Sequence, residues 1–116
     1  MSDNVILVKS YEFAKKIVIL CHRLQAKKKE YNLTKQLVRS GTSIGANVEE
    51  ATGGFSKKDF RYKMSIAHKE ARESRYWMRL LRDTGIAKKE DADALLEDAE
   101  ELIKILFTIV KNSSDG

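Results

Sequence analysis

The chain predicts an all-α fold, an antiparallel up-down-up-down bundle of four helices, and three observations predict it. Apolar residues recur at three- and four-residue steps through four successive segments. No proline interrupts any of them. Short polar or glycine-bearing breaks separate them, and short connections make consecutive helices antiparallel neighbours.

The first helix is expected from about Ile6 to Lys28. Phe13, Ile17, Leu20 and Leu24 mark its inner face, and Val18 and Cys21 widen it. Lys9, Lys16, Arg23 and Lys27 lie on another face. Val5 to Val8 alone also fits a strand, but no partner strand is evident. The polar stretch 27–32 reads as the first connection.

The second helix is expected from about Leu33 to Thr52, with the stripe Leu37, Gly41, Ile44, Val48, Ala51. Gly53 and Gly54 should end it through a left-handed C-cap. Gly41 and Gly45 inside it leave a shallow groove with Ser40 and Ala46. That groove serves either close packing within the bundle or a contact between subunits.

The third helix is expected from about Lys57 to Thr84. Ser56 is its N-cap, Asp59 an acid in its first turn, and Gly85 its stop. Phe60, Met64, Ala67, Ala71, Ser74, Met78 and Leu81 form an unbroken heptad seam. The fourth helix is expected from about Lys89 to Lys111, with Leu95, Ala99, Leu102, Leu106 and Ile109 as its seam. Leu96, Ile103 and Val110 broaden that seam. Ile105 and Phe107 add apolar surface beyond the needs of a four-helix core, which fits either burial against another chain or a crowded core. Residues 113–116 are expected to fray.

With 116 residues, 42% hydrophobic and 34% charged, the chain suits one domain, 1–116, with one core. Its longest apolar runs, 5–8 and 17–21, are far short of the roughly 20 residues that span a bilayer. No signal peptide is recognisable at the start, and the single cysteine cannot form an internal disulfide. A cytoplasmic setting is expected. The net charge of +5 hides an asymmetry. Residues 1–89 carry 20 Lys and Arg against 9 Asp and Glu, and residues 90–116 carry 2 against 8. A basic body attracts nucleic acid or another polyanion, unless the acidic segment neutralises it internally.

Motifs for chemistry are thin. The two histidines, His22 and His68, have no Glu three residues before them, so a di-iron bundle site is not encoded. Cys21 and His22 are adjacent and diverge by about 100° on a helix, and Cys21 reads as core. No phosphate-binding loop, catalytic triad, metal site or cofactor site is expected. Arg61 and His68, seven residues apart on one helical face, resemble the arginine–histidine pair of HEPN-type ribonucleases, although Tyr62 departs from the polar residue usual there.

The basic residues carry the main expectation. Lys27, Lys28, Lys29, Lys35 and Arg39 cluster near the first connection. Lys57, Lys58, Arg61 and Lys63 cluster at the opposite end, and Arg72 lies on the third helix beside Arg75, Arg79 and Arg82. These suit a phosphate-binding surface, the alternative being solvated lysines. Arg75, Arg79 and Arg82 are placed equally well to pair with acids of the fourth helix. Glu49, Glu50, Glu70 and Glu73 read as salt-bridge partners, with Lys69–Glu73 at a favourable spacing. Tyr31 and Tyr62 are suited to stack on bases, but no ordered platform is visible. Trp77 and Tyr76 are expected at the seam or at an oligomer contact.

Three stretches together carry a resemblance: Leu37-Val-Arg-Ser-Gly-Thr-Ser-Ile-Gly-Ala-Asn-Val-Glu-Glu-Ala51, Ser56-Lys-Lys-Asp-Phe60 and Lys69-Glu-Ala-Arg-Glu-Ser-Arg-Tyr-Trp77. The chain resembles the four helix bundle protein family from about Ser10 to Ile109. That family includes proteins encoded in intervening sequences of 23S rRNA genes and the accessory variability determinant of diversity-generating retroelements. Many relatives have proline where this chain has Gly45. The resemblance implies a homopentameric barrel. In the retroelement branch it implies binding to nucleic acid and to a reverse transcriptase. The reading that results is a non-enzymatic oligomer binding RNA or DNA backbone. Its rivals are a purely structural assembly or protein-partner adaptor, and a ribonuclease using Arg61 and His68.

Overall fold

The computed structural model describes residues 2–113, with side chains from Val5 onward. Four helices make up almost all of it: α1 (Ser2–Lys28), α2 (Asn32–Thr52), α3 (Lys57–Asp83) and α4 (Lys89–Asn112). The body is a rod measuring 46 × 19 × 19 Å, close to the length of its longest helices. Packing runs around a ring: α1 on α2, α2 on α3, α3 on α4, and α4 back on α1, with no diagonal contact. Among the described residues no strand occurs. Val5–Val8 belongs to α1 because Ile6 continues the Phe13–Ile17 face into the core, where it is fully buried.

The expected stripes are the observed core. Phe13, Ile17, Leu20, Cys21 and Leu24 of α1 meet Leu37, Ile44, Val48 and Ala51 of α2. Met64, Ala67, Ala71, Met78 and Leu81 of α3, with Leu95, Ala99, Leu102, Leu106 and Ile109 of α4, complete it. Phe60 only packs against its edge. At Gly41 α1 and α2 approach closely: a Cβ there would sit 3.0 Å from Ile17 Cγ2. Gly45 is looser, its nearest neighbour being the Ser10 carbonyl oxygen at 3.5 Å. The groove expected around the two glycines therefore divides. Gly41 and Ser40 are buried inside the bundle, and Gly45 and Ala46 line an outward-facing groove between α1 and α2.

The helix ends follow local chemistry. Ser56 caps α3 by accepting from the Asp59 backbone N–H at 3.0 Å. Gly85, at φ +77°, takes the left-handed conformation after α3, and the Ala87 N–H returns to the Leu81 carbonyl. Gly53 does not: at φ −97° it ends α2 without a left-handed cap, its N–H donating to the Glu49 carbonyl while the Gly54 N–H donates to that of Ala51. The other left-handed residue is Lys29, at φ 56°, which ends α1. Beyond it, the Glu30 carboxylate accepts from the backbone N–H groups of Asn32, Leu33 and Thr34, satisfying donors that a helix start leaves free. Ser113 donates its hydroxyl to the Ile109 carbonyl at 2.6 Å, and the rest of the tail expected to fray lies outside the described residues.

Candidate nucleic-acid interface

The charges of this bundle sort into two populations. The first faces neighbouring helices and is paired. Lys9, Lys16 and Arg23 sit one heptad apart on α1 and meet Glu101, Asp98 and Asp91 of α4. Arg75 meets Glu100 at 3.1 Å, and Arg82 meets Asp93 at 3.0 Å and its neighbour Asp83. The acidic segment thus neutralises part of the body internally, across both of its seams.

Two of the residues expected to bind phosphate belong to this paired population. Arg39 of α2 spans Glu70 and Glu73 of α3, and Lys63 meets Glu50 at 2.8 Å. Glu70 is nearly buried, so Arg39 supplies a charge partner where solvent cannot. The Lys69–Glu73 pair expected from helical spacing does not form. Glu73 instead accepts from Arg39 and from the Trp77 indole N–H at 3.0 Å. Burial pushes the Glu73 carboxyl upward, but the hydrogen bonds from Trp77 and Arg39 outweigh it and hold the group below the usual range.

The second population is unpaired. Among the described residues no acid lies within ion-pair distance of Lys27, Lys28, Lys29 or Lys35 at one end of the rod, or of Lys57, Lys58 and Arg61 at the other. Glu30, the one nearby acid in sequence, is spent on the start of α2. Lys69, Arg72 and Arg79 on the outside of α3 make no ion pair among the described residues, although the charge of Lys69 acts on Glu73 and that of Arg79 on Asp83. Around them lies a shallow depression of about 450 Å³, lined by His68, Lys69, Arg72, Glu73, Arg75, Tyr76 and Arg79. Lys69 was not among the phosphate candidates of the sequence. The signal was its i, i+3, i+7 spacing with Arg72 and Tyr76.

His68 packs its ring 6.1 Å from that of Phe107 on α4. Its pKa is lowered, first by burial and then by the charges of Arg72 and Arg75, so it is neutral at pH 7. Arg61 lies seven residues away, about 10 Å along the helix. Among the described residues no cluster of His, Cys, Asp and Glu is arranged to hold a metal ion. Cys21 is buried, and its thiol is pushed up to about 12, by burial and then by the charge of Glu30.

Apolar surface lies elsewhere. Val8, Tyr11 and Ile19 stand exposed on α1, beside the groove lined by Leu7, Ala14, Val18, Gly45 and Ala46. Phe107 on α4 is also exposed, Ile105 is half-buried, and Phe55 in the second connection is fully exposed. Trp77 packs against the core and Tyr76 stands outside it. Among the described residues no helix is long and apolar enough to cross a membrane.

The fold and this surface define a class: an all-α four-helix bundle with a basic outer helix and an apolar face away from it. The profile of the 23S rRNA-intervening sequence proteins matches residues 2–108, and the chain belongs to that family. It is also similar to a crystal structure of a protein from Bacteroides thetaiotaomicron, described as of unknown function and from the S23 ribosomal protein family. The two share 45% identity with a TM-score of 0.92, over 96% of this chain and 99% of that one. Among functionally curated proteins, none matches this chain.

Proposed function

We propose that this protein is a non-enzymatic, oligomeric helical bundle that binds RNA or DNA backbone by electrostatics, as an accessory to a larger nucleoprotein in the cytoplasm. One observation carries the reading: the division of its cations. Acids are matched to the cations that face other helices, and the cations at the rod ends and outside α3 are left without acids. A purely structural role accounts for Arg39, Arg75 and Arg82. It does not account for Arg61 and Arg72, which make no ion pair with a described acid and suit phosphate.

The up-down-up-down order is supported by ion-pair register. Partner numbers fall on one helix as they rise on the next, as in Lys9–Glu101 and Arg23–Asp91, or Lys63–Glu50 and Arg39–Glu73. Self-assembly, to the pentamer that the resemblance implies, is supported by the exposed Tyr11 and Ile19 at the small-residue groove and by the exposed Val8 on the same helix. This face lies diagonally across the ring from α3, so assembly through it leaves the basic helix open. The same apolar surface suits a protein partner, a reverse transcriptase being the one the resemblance implies. The packing of His68 against Phe107 favours a structural role for that histidine over the ribonuclease reading.

The test is binding of RNA and DNA at low and moderate salt, with the oligomer mass determined in the same buffer. Salt-sensitive binding by a stable oligomer supports the proposal. An intact oligomer that binds neither at low salt leaves the adaptor reading in its place. Ile19→Glu is expected to lower the oligomer mass without unfolding the bundle. His68→Ala is expected to leave RNA integrity unchanged.

A further inference from the structure

The outer pole of α3 is a long surface whose described charges are of a single sign. The inner side of α3 is Met64, Ala67, Ala71, Ser74, Met78 and Leu81. Opposite them, at three- and four-residue steps, come Lys58, Arg61, Ser65, Lys69, Arg72, Tyr76 and Arg79. The row spans residues 58–79, about 32 Å of helix. All five cations in it are exposed and none is in an ion pair among the described residues; no acid falls between them in the row, and the acids beside it, Glu73 and Asp83, feel the charges of Lys69 and Arg79. The cations on the flanks, Lys63, Arg75 and Arg82, are all paired. The other outer faces are mixed: α1 carries Val8, Tyr11, Glu12 and Lys15, and α4 carries Glu90, Glu97, Lys104 and Phe107.

A row kept only for solubility does not need to exclude acids for six turns. Repulsion among its members costs stability unless a polyanion relieves it. Two aromatic rings accompany the row. Tyr62 is 61% exposed and touches no other ring, and Tyr76 is 52% exposed and packs edge-on to Trp77 at 5.1 Å. Exposed rings among backbone-binding arginines have no use on a closed duplex, whose bases are stacked already. They suit unpaired bases.

We infer that the outer pole of α3 is a track for single-stranded nucleic acid. Lys58, Arg61, Lys69, Arg72 and Arg79 take successive phosphates, and Tyr62 and Tyr76 stack on bases. This rests on the nucleic-acid reading above and moves its centre from the rod ends to α3.

The experiment compares a labelled mixed-sequence single-stranded RNA with the matching duplex, on the wild type and three variants. Five phosphate contacts on a single strand give a slope of log K against log salt of about −3.5, or roughly 100-fold weaker binding between about 50 and 200 mM salt. Arg72→Gln/Arg79→Gln is expected to reduce that slope by about 1.4 and to weaken low-salt binding at least about tenfold. Tyr76→Ala is expected to weaken single-strand binding several-fold and leave duplex binding alone. Lys27→Gln/Lys28→Gln/Lys29→Gln is expected to change little. Loss of binding in the 27–29 variant with the α3 variant unaffected overturns the track and leaves the nucleic-acid reading standing. So does equal affinity for duplex with no effect of Tyr76→Ala. No binding by the wild type overturns both.

Discussion

Replacing Gly41 and Gly45 separately with alanine should have opposite effects, although both sit inside α2 four residues apart. In each case a helix-interior glycine becomes alanine, a gain of about 1 kcal/mol. At Gly45 the new Cβ meets only the Ser10 backbone and hydroxyl at 3.5–3.6 Å, ordinary contact, so most of the gain survives. At Gly41 it meets Ile17 Cγ2 at 3.0 Å, Cγ1 at 3.1 Å and Cβ at 3.4 Å. All three belong to one fully buried, β-branched side chain with little rotamer freedom, so α1 itself must shift. Overpacking of this kind costs about 1–3 kcal/mol, which exceeds the propensity gain.

Gly41→Ala should therefore lose about 1 kcal/mol and Gly45→Ala should gain somewhat under 1 kcal/mol. Urea and thermal unfolding at one protein concentration measure the difference, about 8 °C in midpoint. In an Ile17→Ala background the obstacle is gone, and Gly41→Ala should become stabilising. If Gly41→Ala stabilises the wild-type protein as much as Gly45→Ala does, the close approach of α1 and α2 argued here is wrong.

Other outcomes follow from the same contacts. Arg39→Met leaves Glu70 nearly buried without its partner and should cost about 1–3 kcal/mol. Arg39→Met with Glu70→Leu should recover part of that, read by urea unfolding. Glu73, Asp83 and Asp93 all have lowered folded pKa values, so their stabilisation is present above the unfolded carboxylate range near pH 4 and is lost as pH falls through the folded values. Arg39→Met should flatten the Glu73 part of that acid limb. The Cys21 thiol titrates at about 12 folded, against about 8.5 unfolded. Its contribution is thus complete below about pH 8.5 and is lost as pH rises toward 12. Cys21→Ala should remove that slope, and a thiol reagent at neutral pH should label the wild type only as fast as urea opens it.

Helix limits were readable where a residue type does a backbone job. Ser56 and Gly85 mark both ends of α3, because a hydroxyl cap and a left-handed turn select those side chains. Lys29 gave no such signal, since a left-handed lysine looks like any other, and Glu30 acts as the anion at the start of α2 without being its N-cap residue. Core positions followed from period alone. Partner choice did not. Arg39 joins Glu70 and Glu73 only because α2 and α3 bring them together, and that tertiary pairing displaces the local Lys69–Glu73 one. The α1–α4 ladder was encoded in the heptads of Lys9, Lys16 and Arg23 and of Asp91 and Asp98. Recognising it required knowing that the ring closes. The exposed face of Val8, Tyr11 and Ile19 was hidden for a related reason. Those residues adjoin the core stripe in sequence, and only packing separates them from it.

The most direct test of the account is the affinity of the wild-type oligomer for single-stranded RNA, followed as salt is raised. The account predicts binding at low salt that falls about 100-fold between about 50 and 200 mM, at constant oligomer mass. An intact oligomer with no affinity at low salt, or one whose affinity does not change with salt, contradicts it.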